Sequence, residues 1–131
     1  MQGHVAMGNQ APGWVESLFN AIDAADVAAF GTCLTEDATF RFGNGPPVHG
    51  RAAIEQTVRH FFASIRRSRH RIGRIWSSEG AVALEGTVTY TRLDGSEVTL
   101  PFADTLVLRG ERISEYNIYV DIAPLYGTQR Q

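Results

Sequence analysis

Lysine is absent from this chain: all 12 basic side chains are arginine. That excludes Schiff-base chemistry, pyridoxal phosphate attachment and a Walker-type phosphate loop, each of which needs a lysine amine. Cysteine occurs once, at Cys33, so neither an intramolecular disulfide nor a cysteine-rich zinc site can form. Lying in a helical stretch beside Leu34, Cys33 reads as a small core residue rather than a nucleophile. The histidines are scattered, with no His-x-x-x-His pair, and a site without metal or cofactor is expected. No apolar run approaches the ~20 residues of a membrane span, and the start lacks the basic-then-apolar pattern of a signal peptide. A cytoplasmic location is therefore expected. Charge is also sparse: a net charge of -2 and a pI near 6.0 offer no general attraction for nucleic acid or anionic membranes.

What is present is an ordinary globular composition, 44% hydrophobic and 20% charged over 131 residues, long enough for one domain with a real core. Residues 1–12 have no periodicity and read as a flexible leader, followed by a domain over 13–126 and a tail over 127–131. Trp14, Val15, Leu18, Phe19 and Ile22 fall on one helical stripe. Asp26 suits the N-cap of a second short helix carrying Val27, Phe30 and Leu34, closed by Thr35-Glu36-Asp37. Residues 38–42 alternate as a short strand. After the loop Gly43-Asn44-Gly45-Pro46-Pro47, a third helix is expected beyond Gly50 with Ile54, Val58, Phe61 or Phe62, and Ile65 on its stripe. Arg66, Arg67, Arg69 and Arg71 cluster at its end as a charge complement and solvated surface. Strands follow over 70–76, 81–92, 98–108 and 112–122, separated by turns suited to antiparallel hairpins. Helices followed by a meander predict an α+β domain with helices on one face of a sheet.

One residue interrupts that pattern. In residues 100–108 the even positions read Leu100, Phe102, Asp104, Leu106 and Leu108, which aims the Asp104 carboxylate at hydrocarbon. Desolvation raises the pKa of such a group, so it suits a neutral acid; a structural Asp accepting backbone or tyrosine hydrogen bonds fits the pattern equally. His70 begins a strand with Ile72, Arg74 and Trp76 at the same parity, and imidazole titrates near neutrality. It is a candidate general base, with a backbone-satisfied, partly buried histidine as its plain alternative. Asp121 lies opposite the apolar set Tyr116, Ile118, Val120 and Ile122, which gives it a structural or interface role. Phe42, Trp76, Leu84, Val88, Tyr90, Phe102, Tyr116 and Ile118 are the expected lining of an apolar ligand pocket.

The stretches Ala21-Ile22-Asp23-Ala24-Ala25-Asp26, Leu34-Thr35-Glu36-Asp37-Ala38-Thr39-Phe40, Pro46-Pro47-Val48-His49-Gly50-Arg51, residues 104–110 and Tyr119-Val120-Asp121 resemble, in this order and spacing, the SnoaL-like branch of the nuclear-transport-factor-2-like (NTF2-like) superfamily. The resemblance implies a cone: three N-terminal helices packed on a strongly curved antiparallel sheet, an apolar pocket inside, and a homodimer across the sheet. It places Asp104 where ketosteroid isomerases hold a protonated oxyanion-hole aspartate. Their proton-shuttling aspartate falls on Phe42 and their helix-one tyrosine on Leu18, so a plain steroid isomerase is not implied. Epoxide-hydrolase relatives lose their last-strand aspartate to Ile118. The implied function is a cofactor-independent isomerase, cyclase or lyase. It forms an enol or enolate from a small apolar carbonyl compound, with Asp104 as acid and His70 as base. The alternative is a non-catalytic ligand-binding or dimerisation module of the same fold.

Overall fold

The computed structural model describes residues 12–127, so the leader up to residue 11 and the tail from 128 lie outside the described residues. Helices α1 (Gly13–Asp23), α2 (Val27–Thr32) and α3 (Arg51–Ala63) pack on a sheet of β1 (Leu34–Phe42), β2 (Val48–His49), β3 (Arg67–Ser78), β4 (Ala81–Thr91), β5 (Glu97–Arg109) and β6 (Arg112–Tyr119). A short α4 (Ala123–Gly127) follows and buries Leu125. Asp26 caps α2, its side chain accepting from Ala29 N at 3.0 Å. The stripe of α1 buries Val15, Leu18 and Phe19, and that of α3 buries Ile54 and Val58. Both stripes close on the inward-facing residues of the sheet to form one core.

The strand order is β2-β1-β6-β5-β4-β3 in a curved, open sheet. It is mixed, not antiparallel: β1 runs parallel to β6, pairing Phe40 with Tyr116 and Phe42 with Ile118. Hairpin turns announce only pairs that are adjacent in sequence, whereas β1 meets the last strand after the chain has crossed α3 and the whole meander. Leu34 also belongs to β1 rather than α2, and Thr35-Glu36-Asp37 lie within that strand. Burial at 0% exposure and pairing with Ile113 outweigh the helical spacing that links Leu34 to Phe30. Arg67, Arg69 and Arg71 are likewise exposed positions of β3, alternating with Ser68, His70 and Ile72, rather than the end of a helix.

A bulge interrupts β3. Ile72 pairs with Gly86 while Arg74 pairs with Glu85, leaving Gly73 as an extra residue. The extra residue flips side-chain parity beyond it: Ile75 packs against the core, whereas Trp76 is 52% exposed and Arg74 lies outside beside Glu85. The two strands approach closely at this point, because a Cβ at Gly86 would stand 2.0 Å from the Arg71 carbonyl oxygen. Backbone cannot yield as a side-chain end can. Gly86→Ala is expected to destabilise the domain by about 3 kcal/mol, read as a lower denaturation midpoint in urea at unchanged m-value.

Candidate active site

The concave side of the sheet and the helices enclose a cavity open at one side. About 80 Å³ is available to the centres of water-sized molecules, several times what one water needs. Phe30, Phe40, Phe42, Phe61, Phe62 and Phe102 are among its lining residues, and their rings pack edge-on or tilted, as Phe40 does on Tyr116 and Phe42 on Phe61. Of the lining expected from strand parity, Phe42, Val88, Tyr90, Phe102, Tyr116 and Ile118 face the cavity. Two do not: Trp76 is turned outward by the Gly73 bulge, and Leu84 is buried in the core without lining the cavity. The aromatic residues of α2 and α3 escaped that reading because helical spacing marks a core face without telling a filled core from a hollow one.

Asp104 sits in this wall on β5, opposite Leu84 and Ile118, at 1% exposure. Tyr116 donates to its Oδ2 at 3.4 Å, a long bond, and Oδ1 has no partner among the described residues. Burial is the dominant influence and raises the carboxyl pKa well above its ordinary value; the Tyr116 bond opposes this only in part. A buried ionised oxygen without a donor is costly, whereas the protonated acid carries an O–H that a ligand can accept.

His70 lies on β3 with its ring against Phe19 and Phe102, at centroid distances of 5.0 and 5.2 Å. Its Nδ1 is 2.6 Å from Asp23 Oδ1. The same carboxylate accepts from His70 N at 2.9 Å and from Ser68 Oγ at 3.1 Å. Asp23 is the functional residue that strand and helix patterns missed. Its signal was electrostatic: a carboxylate in the last turn of a helix opposes the macrodipole and needs donors from elsewhere. With Nδ1 bound to a carboxylate, the neutral ring carries its proton there and leaves the Nε2 lone pair available.

By register, His70 lies opposite Val88, which lies opposite Leu100. It is thus two strands across and four residues along from Asp104, roughly 10 Å by 13 Å on a flat sheet. Both line one cavity without touching each other. Asp121 is exposed and accepts from Ala123 N, away from the cavity. Cys33 caps α2, and burial raises its thiol pKa; it does not line the cavity. His4 lies outside the described residues. No group of three or more metal-ligating side chains occurs among the described residues.

Residues 15–116 match the model of the SnoaL-like domain. The chain belongs to the SnoaL-like domain family. Solved structures share its fold. A ketosteroid-isomerase-like protein from Catenulispora acidiphila, crystallised with trimethylamine, aligns at a TM-score of 0.80 and 22% identity, covering 87% of this chain and 89% of that one. A polyketide cyclase homologue from Xanthomonas campestris aligns at 0.77 and 22%, covering 86% and 91%. An epoxide hydrolase from M. tuberculosis aligns at 0.72 and 19%, covering 82% and 80%. No curated protein matches the chain. No described helix of this SnoaL-like chain is long and apolar enough to cross a membrane.

Because its folded-state pKa is raised, Asp104 holds a proton that the unfolded chain releases above about 3.9. Stability from this group is greatest at low pH and declines as pH rises toward the folded-state value. Asp104→Asn removes the titration and keeps the shape. Its stability is expected to fall less than that of the wild type between pH 4 and pH 8 in urea titrations; a wild type that gains stability relative to the variant as pH rises would indicate a paired, ionised carboxylate.

Proposed function

We propose that this protein is a cofactor-independent isomerase, cyclase or lyase acting on a small apolar carbonyl compound through an enol or enolate. The observation that carries the reading is a carboxylate-oriented histidine and a buried acid with one unpartnered oxygen in the wall of one apolar cavity. Its apolar walls suit a flat hydrophobic ligand, and its few polar groups suit a single oxygen-bearing reaction centre.

In this reading His70 Nε2 takes a proton from a carbon conjugated to the carbonyl. The C–H electron pair moves into the conjugated system, and charge develops on the carbonyl oxygen. The protonated Asp104 donates a hydrogen bond to that oxygen as its charge grows, favouring the transition state over the ground state. Asp23 holds the imidazole in the tautomer that leaves Nε2 basic and stabilises the imidazolium formed. Histidinium then returns the proton to a different carbon, giving an isomer, or a leaving group departs with the electron pair, giving a lyase.

The test uses 2-tetralone, a flat ketone with acidic α-protons, in deuterated buffer, with exchange followed by proton NMR. Wild-type protein is expected to accelerate exchange, His70→Ala to lower the rate at least about 100-fold, and Asp104→Asn to keep part of it. Asp23→Asn is expected to lower the rate while 2-tetralone binding persists. Undiminished exchange by His70→Ala overturns the assignment, and binding without acceleration by the wild type supports the ligand-binding alternative.

The proposal includes a cytoplasmic homodimer through the outer face of the sheet. Trp76, Val107 and Tyr119 are exposed there beside Thr87 and Asn117, leaving apolar area for a second copy to cover. Light scattering at micromolar concentration is expected to give about twice 14.4 kDa; a monomer would count against this assembly.

A further inference from the structure

We propose that Ser68 is a positioning residue that acts through Asp23 to fix the His70 imidazole for proton transfer. This rests on the reading of His70 as the base and adds the group that holds its carboxylate still. Ser68 and His70 stand two residues apart on β3, in a stretch whose register against β4 is unbroken, Ser68 opposite Tyr90 and His70 opposite Val88. Period two therefore puts both side chains on the cavity face, ahead of the Gly73 bulge that reverses parity. Both line the cavity, and both reach one carboxylate oxygen: Ser68 Oγ donates to Asp23 Oδ1 at 3.1 Å, and His70 Nδ1 lies 2.6 Å from it. The His70 backbone N–H holds the other oxygen, Oδ2, at 2.9 Å.

The exposure of the three groups shows why the hydroxyl is needed. The Asp23 side chain is 25% exposed and that of His70 11%, so water can compete for the carboxylate, whereas Ser68 is 6% exposed. The last torsion of an aspartate is broad, and the strand backbone fixes Oδ2 alone. With the buried hydroxyl on Oδ1 the group is held at both oxygens, and the imidazole meets an acceptor of fixed direction. Hydrogen bonds to a charged group are stronger than neutral ones, so this clamp favours one orientation of the carboxylate and, through it, the tautomer that leaves Nε2 free. The Ser68 hydrogen is spent on Asp23, which leaves none to donate to a ligand; the residue acts on the base and not on the substrate. Phe19 against the His70 ring and the His70 N–H on Asp23 tie α1 to β3 without it, so its removal leaves the fold in place.

The test compares Ser68→Ala, Ser68→Thr, Asp23→Asn and the variant combining Ser68→Ala with Asp23→Asn, reading 2-tetralone exchange and the ring-nitrogen NMR shifts of His70 in the full chain. Ser68→Ala is expected to lower the saturated exchange rate about tenfold, the worth of one hydrogen bond to a charged group, at unchanged half-saturating 2-tetralone. Ser68→Thr, which keeps the hydroxyl, is expected to restore the rate. In the Asp23→Asn background the loss of Ser68 is expected to cost nothing further, because the group it acts through is already gone. The ring nitrogens are expected to show a single Nδ1–H tautomer in wild-type protein and a mixture in Ser68→Ala. An equal loss in both backgrounds, or a rise in half-saturating 2-tetralone, marks a packing or substrate-contacting role and overturns the proposal, as does an unchanged tautomer in Ser68→Ala. If wild-type protein does not exchange 2-tetralone at all, the acid–base reading falls, and the tautomer comparison still decides whether Ser68 positions His70.

Discussion

One carboxylate joins the helical layer to the edge of the sheet. Asp23, at the unfavourable end of α1 for a negative charge, accepts from the His70 backbone, the His70 ring and Ser68. The backbone contact caps an N–H of β3, the last strand in the sheet order, where an unpaired donor would otherwise face outward. The ring contact orients the imidazole, and the Ser68 contact ties the neighbouring inward position. Because α1 also supplies Phe19 against the His70 ring, the wall of the cavity and its candidate base are set by a single joint. Ala25, at φ 56, turns the chain just after it, so that α1 ends at Asp23 and α2 starts at Val27.

The cavity exists because the curved sheet and the helices meet around its rim while large aromatic rings prop its interior. Aromatic side chains fill volume with few rotatable bonds and define a rigid boundary. Within that boundary the polar groups are few and mostly satisfied by each other. The exception is Asp104 Oδ1 on β5, which has no partner among the described residues. A buried group without a partner costs stability, and such cost concentrates at sites that hold a ligand. The same low dielectric that raises the Asp104 pKa strengthens hydrogen bonds made within the cavity.

The neighbours in fold show how little of this chemistry the scaffold imposes. Proteins with a ketosteroid-isomerase-like fold, a polyketide cyclase homologue and an epoxide hydrolase all superpose on this chain at about one-fifth identity. Fold alone therefore does not choose a function. Here Phe42 and Ile118, paired between β1 and β6, are apolar where a carboxylate-based water activation would need charge. The imidazole and the carboxyl group that do face the cavity, those of His70 and Asp104, lie instead on β3 and β5.

Alternation along β5 was enough to place Asp104 on the core side, because side-chain direction in a regular strand has period two and needs no tertiary information. The helical stripes of α1 and α3 and the hairpins of the meander were legible for the same local reason. Where regularity fails, so does the reading: one extra residue at Gly73 reversed Trp76 and left Arg74 beside Glu85. Parity put Leu84 inside without telling core from cavity, since depth depends on what the helices cover. The parallel β1–β6 pair and the Asp23–His70 contact, 47 residues apart, carry no local signature. Local geometry follows from the chain itself, but which distant groups share a cavity is decided only when the layers close, because that choice minimises unpaired polar groups across the whole domain.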